Sequence, residues 1–378
     1  MKEKTNSPWL SRAVGLLCAF VLACGLMGLV GCAQQSADQA QEPAQEQQGG
    51  DESAMRTFTD SLGREVQLPA KVDAIAASGP LAQQVLLTVA PDKMVGLATK
   101  LSADQEKYLG SSYADLPVFG QVYGGKGDFN KEAVAAAAPQ VVIDVGEAKD
   151  GIEEDLDTLQ EQLGIPVVHI ASSLDSYDEA YTKLGELLGD DSRAKEVAAY
   201  CAKVYDETKK AVDGIAEADR PTILYLPGDA GQNVMAKGSF QAGVVDMVAN
   251  NVAVVEKASG SGTGNESSLE QIANWNPQMI VFAPQSVYDS VASDPAWATL
   301  DAVASGNYYE VPGAPYNWLS GPPSVNQLMG MQWLAHLCYP DAFDSSMQDV
   351  VTDYYKTMYD YDLSQSEYDA LVEKAVKK

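Results

Sequence analysis

Few stretches of this 378-residue sequence have the residue types and spacing that covalent or metal chemistry needs. Gly120 to Lys126 reads GQVYGGK and fits the first seven positions of a phosphate-binding loop. Gly127, however, stands where a Ser or Thr hydroxyl must hold Mg²⁺, and no clear strand leads into a helix there. His169 and His336 are the only histidines and lie far apart, whereas a site for bare zinc or manganese takes several histidines together with carboxylates. There is also no CxxC pair, so no metal ligands are expected. His169 ends an apolar run and His336 lies within WLAHLCYP, and both read as core residues. No GxSxG, HExxH or Cys/His pairing supplies a nucleophile, so no catalytic residue and no enzymatic activity are expected. What remains is non-covalent recognition. Ser78, Tyr123, Lys126, Lys237, Phe240, Tyr288, Tyr316 and Trp318 sit in loops rich in Gly and Pro, and they are the expected ligand-binding residues. The aromatics among them suit a flat or bulky organic ligand.

Those loops need elements to hold them in place. Strands are predicted at 72–76, 94–97, 141–145 and 166–170, and again near 222–226, 234–236, 279–283 and 308–311. Helices are predicted at 81–88, 103–109, 131–137 and 151–163, then near 241–249, 268–274 and 324–338. Residues 57–69, TFTDSLGREVQLP, form a small hairpin that turns at Gly63. Alternation of short apolar runs with helices gives an α/β fold with a parallel sheet in each half. In such sheets ligands bind beyond the carboxyl ends of the strands, which is where the aromatic loops fall.

Between the halves lies SRAKEVAAYCAKVYDETKKAVDGIAE, residues 192–217, with apolar groups at a 3.6-residue period from Val197 to Ile215. Roughly 26 residues of helix span about 39 Å, longer than one small lobe requires, so the segment reads as a strut between two lobes. One pattern recurs on either side of it. Asn130 to Asp144 reads NKEAVAAAAPQVVID and Ser268 to Phe282 reads SLEQIANWNPQMIVF, which aligns Glu132 with Glu270, Pro139 with Pro277 and Gln140 with Gln278. A repeat at so wide a separation implies two related lobes rather than a solenoid. The expected fold is therefore two Rossmann-like lobes joined by one long helix, with a ligand cleft between them.

Residues 1–31 read as an export signal. Lys2, Lys4 and Arg12 precede an uncharged apolar run, Ala13 to Val30, which leads into Leu29-Val30-Gly31-Cys32. That ending looks like a bacterial lipobox, with Cys32 acylated as the mature N-terminus. Residues 32–55 are rich in Gln, Ala, Glu, Ser and Gly and form a disordered tether. The folded part then divides into an N-terminal lobe at 56–191, the strut at 192–217, and a C-terminal lobe with terminal helices at 218–378. A formal charge of −28 repels nucleic acid and anionic surfaces. Beyond the signal the only arginines are Arg56, Arg64, Arg193 and Arg220, none of them in a cleft loop. A multiply anionic ligand would therefore lack a cationic cluster to replace its hydration.

The order of lipobox, hairpin, strut, LEQIANWNPQMIV box and PPSVNQLMGMQWLAHLCYPDAF resembles the substrate-binding lipoproteins of ABC importers for ferric siderophores, haem and cobalamin. The resemblance covers residues 57 to about 373, including the closing YYKTMYDYDLSQSEYDAL. It implies a rigid monomeric receptor, lipid-anchored outside the cytoplasm, that closes only slightly on a metal chelate and passes it to a permease and its ATPase. It further implies that Glu132 and Glu270, one per lobe, dock onto arginines of the permease. No cofactor is implied beyond the chelate itself. The alternative from another class is a surface lipoprotein enzyme or an adhesion module on the same scaffold.

Overall fold

The computed structural model describes residues 54–123, 129–190 and 192–377, and the signal, most of the tether, Cys32 and Lys126 lie outside these. The chain enters through a hairpin, β1 (Met55–Thr59) and β2 (Glu65–Pro69), paired antiparallel with Thr59 opposite Glu65. Gly63 takes a left-handed φ of 84° at the turn, where a side chain would be strained. Asp60 closes that turn by accepting the amides of Leu62 and Arg64, each at 3.0 Å.

The N-terminal lobe follows as β3 (Ile75–Ala77), α1 (Pro80–Val89), α2 (Ala103–Leu109), α3 (Lys131–Ala137), β4 (Val141–Gly146), α4 (Ile152–Leu163), β5 (Val167–Ala171) and α5 (Tyr177–Leu188). Its sheet is parallel in the order β3-β4-β5. Residues 94–97 do not form a full strand: Met94 bridges Ile75 and Leu97 bridges Val118. Helix α5 was not anticipated.

Next comes α6 (Ser192–Val212), 21 residues rather than the 26 expected, which packs against α1 and α5 on one side and α7, α11 and α12 on the other. It stops short because Gly214 adopts φ 85°, a left-handed conformation that ends a helix before the predicted Asp219-Arg220-Pro221 signal is reached.

The C-terminal lobe runs β6 (Thr222–Leu226), β7 (Asn233–Val234), α7 (Gly243–Val248), β8 (Asn250–Asn251), β9 (Asn265–Glu266), α8 (Leu269–Trp275), β10 (Met279–Phe282), α9 (Tyr288–Val291), α10 (Asp301–Ala304) and β11 (Tyr308–Glu310). It closes with α11 (Gln327–Cys338), α12 (Met347–Tyr359) and α13 (Gln365–Val372). The second sheet is parallel, ordered β11-β10-β6-β8. The run predicted at 234–236 is not in it, because β7 pairs antiparallel with β9 instead.

Side chains alternate across both sheets, as the two-residue period of a strand requires. Val141, Ile143 and Val145 of β4, with Ile223 and Tyr225 of β6 and Met279 and Val281 of β10, all enter one interior that also takes in α5, α6, α11 and α12. The opposite faces enter separate clusters, Val142 with α4 in one lobe and Leu224, Ile280 and Phe282 in the other. Covered on both faces, each sheet reads as a near-continuous apolar run. The interior shared by the two lobes makes the helical layer part of both.

The repeated boxes match in detail. Asn130 caps α3 by accepting the Ala133 amide at 2.9 Å, and Ser268 caps α8 by accepting that of Gln271 at 3.1 Å. Both helices end on a left-handed residue other than glycine, Ala138 at φ 50° and Asn276 at φ 42°. The side-chain carbonyl of Gln140 then accepts the Ala74 amide at 3.0 Å, and that of Gln278 accepts the Thr222 amide at 2.9 Å. Each box therefore pins its helix to the start of the first strand of its own sheet.

Candidate functional site

A cavity of about 460 Å³ opens at the carboxyl ends of β3 and β4 and is walled from both lobes. Ser78, Gly79 and Pro80 lie where β3 gives way to α1, Asp144 to Gly146 are the last residues of β4, and Glu147 to Lys149 follow it. Gln121 and Tyr123 come from the long loop before α3. Phe240, Gln241 and Gly260 of the C-terminal lobe face them, with Pro322 and Pro323 from the loop leading to α11. Leu81, Val145, Ile152 and the two prolines give the walls an apolar character, and Phe240 remains 41% exposed although it lines the cavity.

The polar floor is Asp144. One of its oxygens accepts the Ser78 hydroxyl, and the other lies 2.8 Å from Nδ1 of His169, which is fully buried on β5. The hairpin supports this arrangement from behind, since Asp60 accepts the His169 amide at 3.2 Å and the Ser61 amide donates to the His169 carbonyl at 2.9 Å. Arg64 pairs with Asp60 inside the hairpin and ties the hairpin to Asp157 of α4, each at 3.0 Å. The order Ser78, Asp144, His169 places the carboxylate between hydroxyl and imidazole. The imidazole makes no hydrogen bond to the hydroxyl, so it is not arranged to take a proton from it. Tyr123 has a buried hydroxyl without a partner among the described residues, and the Lys149 ammonium sits 5.0 Å from its ring centroid. Burial pushes the Tyr123 phenol well up, and the charge of Asp144 adds to the effect.

Of the residues expected to bind ligand, the cavity brings together Ser78, Tyr123 and Phe240. The other described ones stand elsewhere. Lys237 turns away to pair with Glu217. Tyr288 packs on the outer face of the second sheet, 5.2 Å from the Tyr308 ring and beneath the Lys374 ammonium. Tyr316 is 6% exposed and belongs to the interior. Trp318 is 1% exposed and meets Trp333 edge-on at 6.3 Å. Its backbone can approach α11 so closely because Gly330 presents no side chain there. All four described arginines bind framework groups: Arg64 pairs with Asp60 and Asp157, Arg56 and Arg193 hold carbonyls of Leu187 and Thr88, and Arg220 that of Ile215.

Asp144, Lys149 and Gln241 were not anticipated. Asp144 carried a legible signal, a lone acid within the apolar run VVIDVG at the end of a parallel strand, whereas Lys149 and Gln241 sit in stretches with no pattern of their own. Glu132 and Glu270 occupy the second residue of α3 and α8, both exposed and outside the cavity.

The family model for periplasmic binding proteins matches residues 82–315, a span that includes β4 and β5 of the first sheet, the strut, the second sheet and most of the cavity lining. Among solved structures, an ABC transporter solute-binding protein from Sulfurospirillum deleyianum is 26% identical, with a TM-score of 0.76 over 84% of this chain and 99% of that one. A periplasmic solute-binding protein from Veillonella parvula is 23% identical, with a TM-score of 0.70 over 85% and 98%. The molybdate periplasmic binding protein of a Haemophilus influenzae ABC transporter is 21% identical, with a TM-score of 0.61 over 82% and 99%. No curated protein matches the chain. With two lobes of parallel sheet around one helical layer and a cavity between them, the chain belongs to the periplasmic binding protein family and is an extracytoplasmic substrate-binding protein of an ABC transporter rather than an enzyme.

Proposed function

We propose that the protein captures a metal chelate, a ferric siderophore, haem or a corrinoid, and delivers it to its permease while anchored to the membrane through an acylated Cys32. The observation that carries this reading is the cavity, about 460 Å³ between the lobes, with exposed Phe240 across from Tyr123 and apolar walls on both sides. Ligand sites of roughly 300–1,000 Å³ lined in this way hold compact organic molecules. A chelate presents such an organic surface, whereas a small oxyanion like the molybdate of the Haemophilus neighbour needs donors and positive charge. The floor here is a carboxylate, and no arginine is among the described lining residues. Neutral, cationic or weakly anionic chelates suit it best.

Glu132 and Glu270 complete the proposal. As equivalent exposed carboxylates, one on each lobe, they offer a permease two charge-assisted contacts that report on both lobes at once. Native mass spectrometry of the protein as isolated, with its absorption spectrum, tests the cargo. A co-purifying mass with haem, corrinoid or ferric-hydroxamate bands is expected. A folded protein that neither carries nor takes up any of the three contradicts the reading.

A further inference from the structure

The floor of the cavity is a carboxylate that no described cationic side chain pairs with. Asp144 is only 6% exposed, and its two oxygens receive the Ser78 hydroxyl and Nδ1 of His169. A carboxylate has about four acceptor positions, so each oxygen keeps one for a further donor. His169 is fully buried and its Nε2 has no partner among the described residues. The imidazole thus meets the carboxylate through Nδ1 alone and fills one of its acceptor positions. Lys149 is the one basic residue among the described lining residues. It lies exposed at the mouth over the Tyr123 ring, and the exposed carboxylate of Glu147 lies near it in the chain.

The facing wall adds a second acceptor. Gln241 is 7% exposed and its Nε2 donates to the Gly260 carbonyl at 3.1 Å, which identifies the other end of the amide as oxygen. That oxygen is buried and has no partner among the described residues. A buried acceptor left unpaired is destabilising unless a ligand supplies the donor. Floor and facing wall thus both offer acceptors for N–H groups, and the floor favours positive charge.

We infer that the ligand carries a cationic N–H donor, an ammonium or amidinium group, which meets the Asp144 carboxylate, and that Asp144 is the specificity-determining residue of the cleft, with Gln241 as second acceptor. The inference rests on the reading that this cavity holds the transported chelate. Two ferric trihydroxamates that differ only at the chain end, one with a free ammonium and one with that nitrogen acetylated, test it by calorimetric titration of the full chain. The ammonium form binds at least about tenfold more tightly, as expected for a charge-assisted hydrogen bond to a buried carboxylate. D144N brings the two within about twofold of each other, and E147Q keeps the preference. Equal binding to the wild type, or tighter binding of the acetylated form, overturns the inference while chelate capture stands. If neither complex binds the folded protein, the inference falls, and chelate capture falls with it only if haem and corrinoid are also refused. Should D144N fail to fold, the wild-type pair and E147Q decide, and a preference lost in E147Q overturns the assignment to Asp144.

Discussion

Reversing Glu132 and Glu270 together to arginine separates docking from capture. Neither side chain makes a hydrogen bond or ion pair among the described residues, and each sits in the first turn of a short helix. Their contribution to the fold is therefore a carboxylate near a helix N-terminus, about 0.3–1 kcal/mol apiece. Even with the sign reversed, the melting temperature falls by only a few degrees. On the permease each carboxylate–guanidinium contact contributes about 1.5–3 kcal/mol. Losing two weakens docking by about 3–6 kcal/mol, or some 10² to 10⁴-fold, before like-charge repulsion is added. Import into proteoliposomes holding the permease and ATPase measures this, with chelate titration and a thermal melt on the same variant. The expected result is collapsed import with chelate affinity within about twofold of wild type. Chelate affinity lost with an unchanged melt would place the two residues in the cleft, and unimpaired import would remove them from the docking face.

Cys32→Ser should move the protein from the membrane fraction to the soluble extracytoplasmic fraction, since a polar tether alone has no membrane affinity; retention of the variant refutes the lipid anchor. Gly330→Ala would set a Cβ 2.2 Å from the Trp318 carbonyl oxygen and 2.8 Å from its carbon, a backbone clash that costs about 1–3 kcal/mol and that an unchanged melting temperature would disprove. Glu367 ties α13 to α2 through Lys107 at 2.9 Å. Its carboxyl is held far below the ordinary 4.5 by the hydroxyls of Tyr361 and Ser364, then by Lys107. A depressed carboxyl stabilises the fold above the unfolded value and loses that contribution as pH falls beneath it. The melting gap between wild type and E367Q should therefore be open at pH 7 and narrow below about pH 4.5. A gap independent of pH would show that the charge is not what holds the helix.

The parts of this fold legible in the sequence were those written in local periodicity. The boxes at 130–144 and 268–282 combine a capping residue, one apolar helical face and a Pro-Gln turn, and every one of these acts over a few residues. Helix α5 also has this periodicity, with Tyr177, Ala180, Tyr181, Leu184, Leu187 and Leu188 on one face, although its Ser176 makes no side-chain cap and only residues 189–191 part it from the strut. The site was less legible, because loop aromatics read alike whether they face a ligand or the interior. Gly330 lets the segment of Trp318 sink against α11, and that contact joins residues too distant for any local pattern. Asp144 owes its role to Ser78, His169 and the hairpin at Asp60, four segments that meet only once the first sheet has formed.

The interior shared by both sheets and the strut bears on how the transporter is loaded. Lobes that move on separate cores can close over cargo and so mark a filled receptor by its shape. Here, parting or rotating the lobes would break the packing of α5, α6, α11 and α12 at once. Empty and filled receptors would then show a permease nearly the same outline, and unloaded copies would compete for the same transporters. Flux should accordingly depend on the fraction of receptor that is loaded, and overproducing the receptor in scarce cargo should slow import rather than speed it.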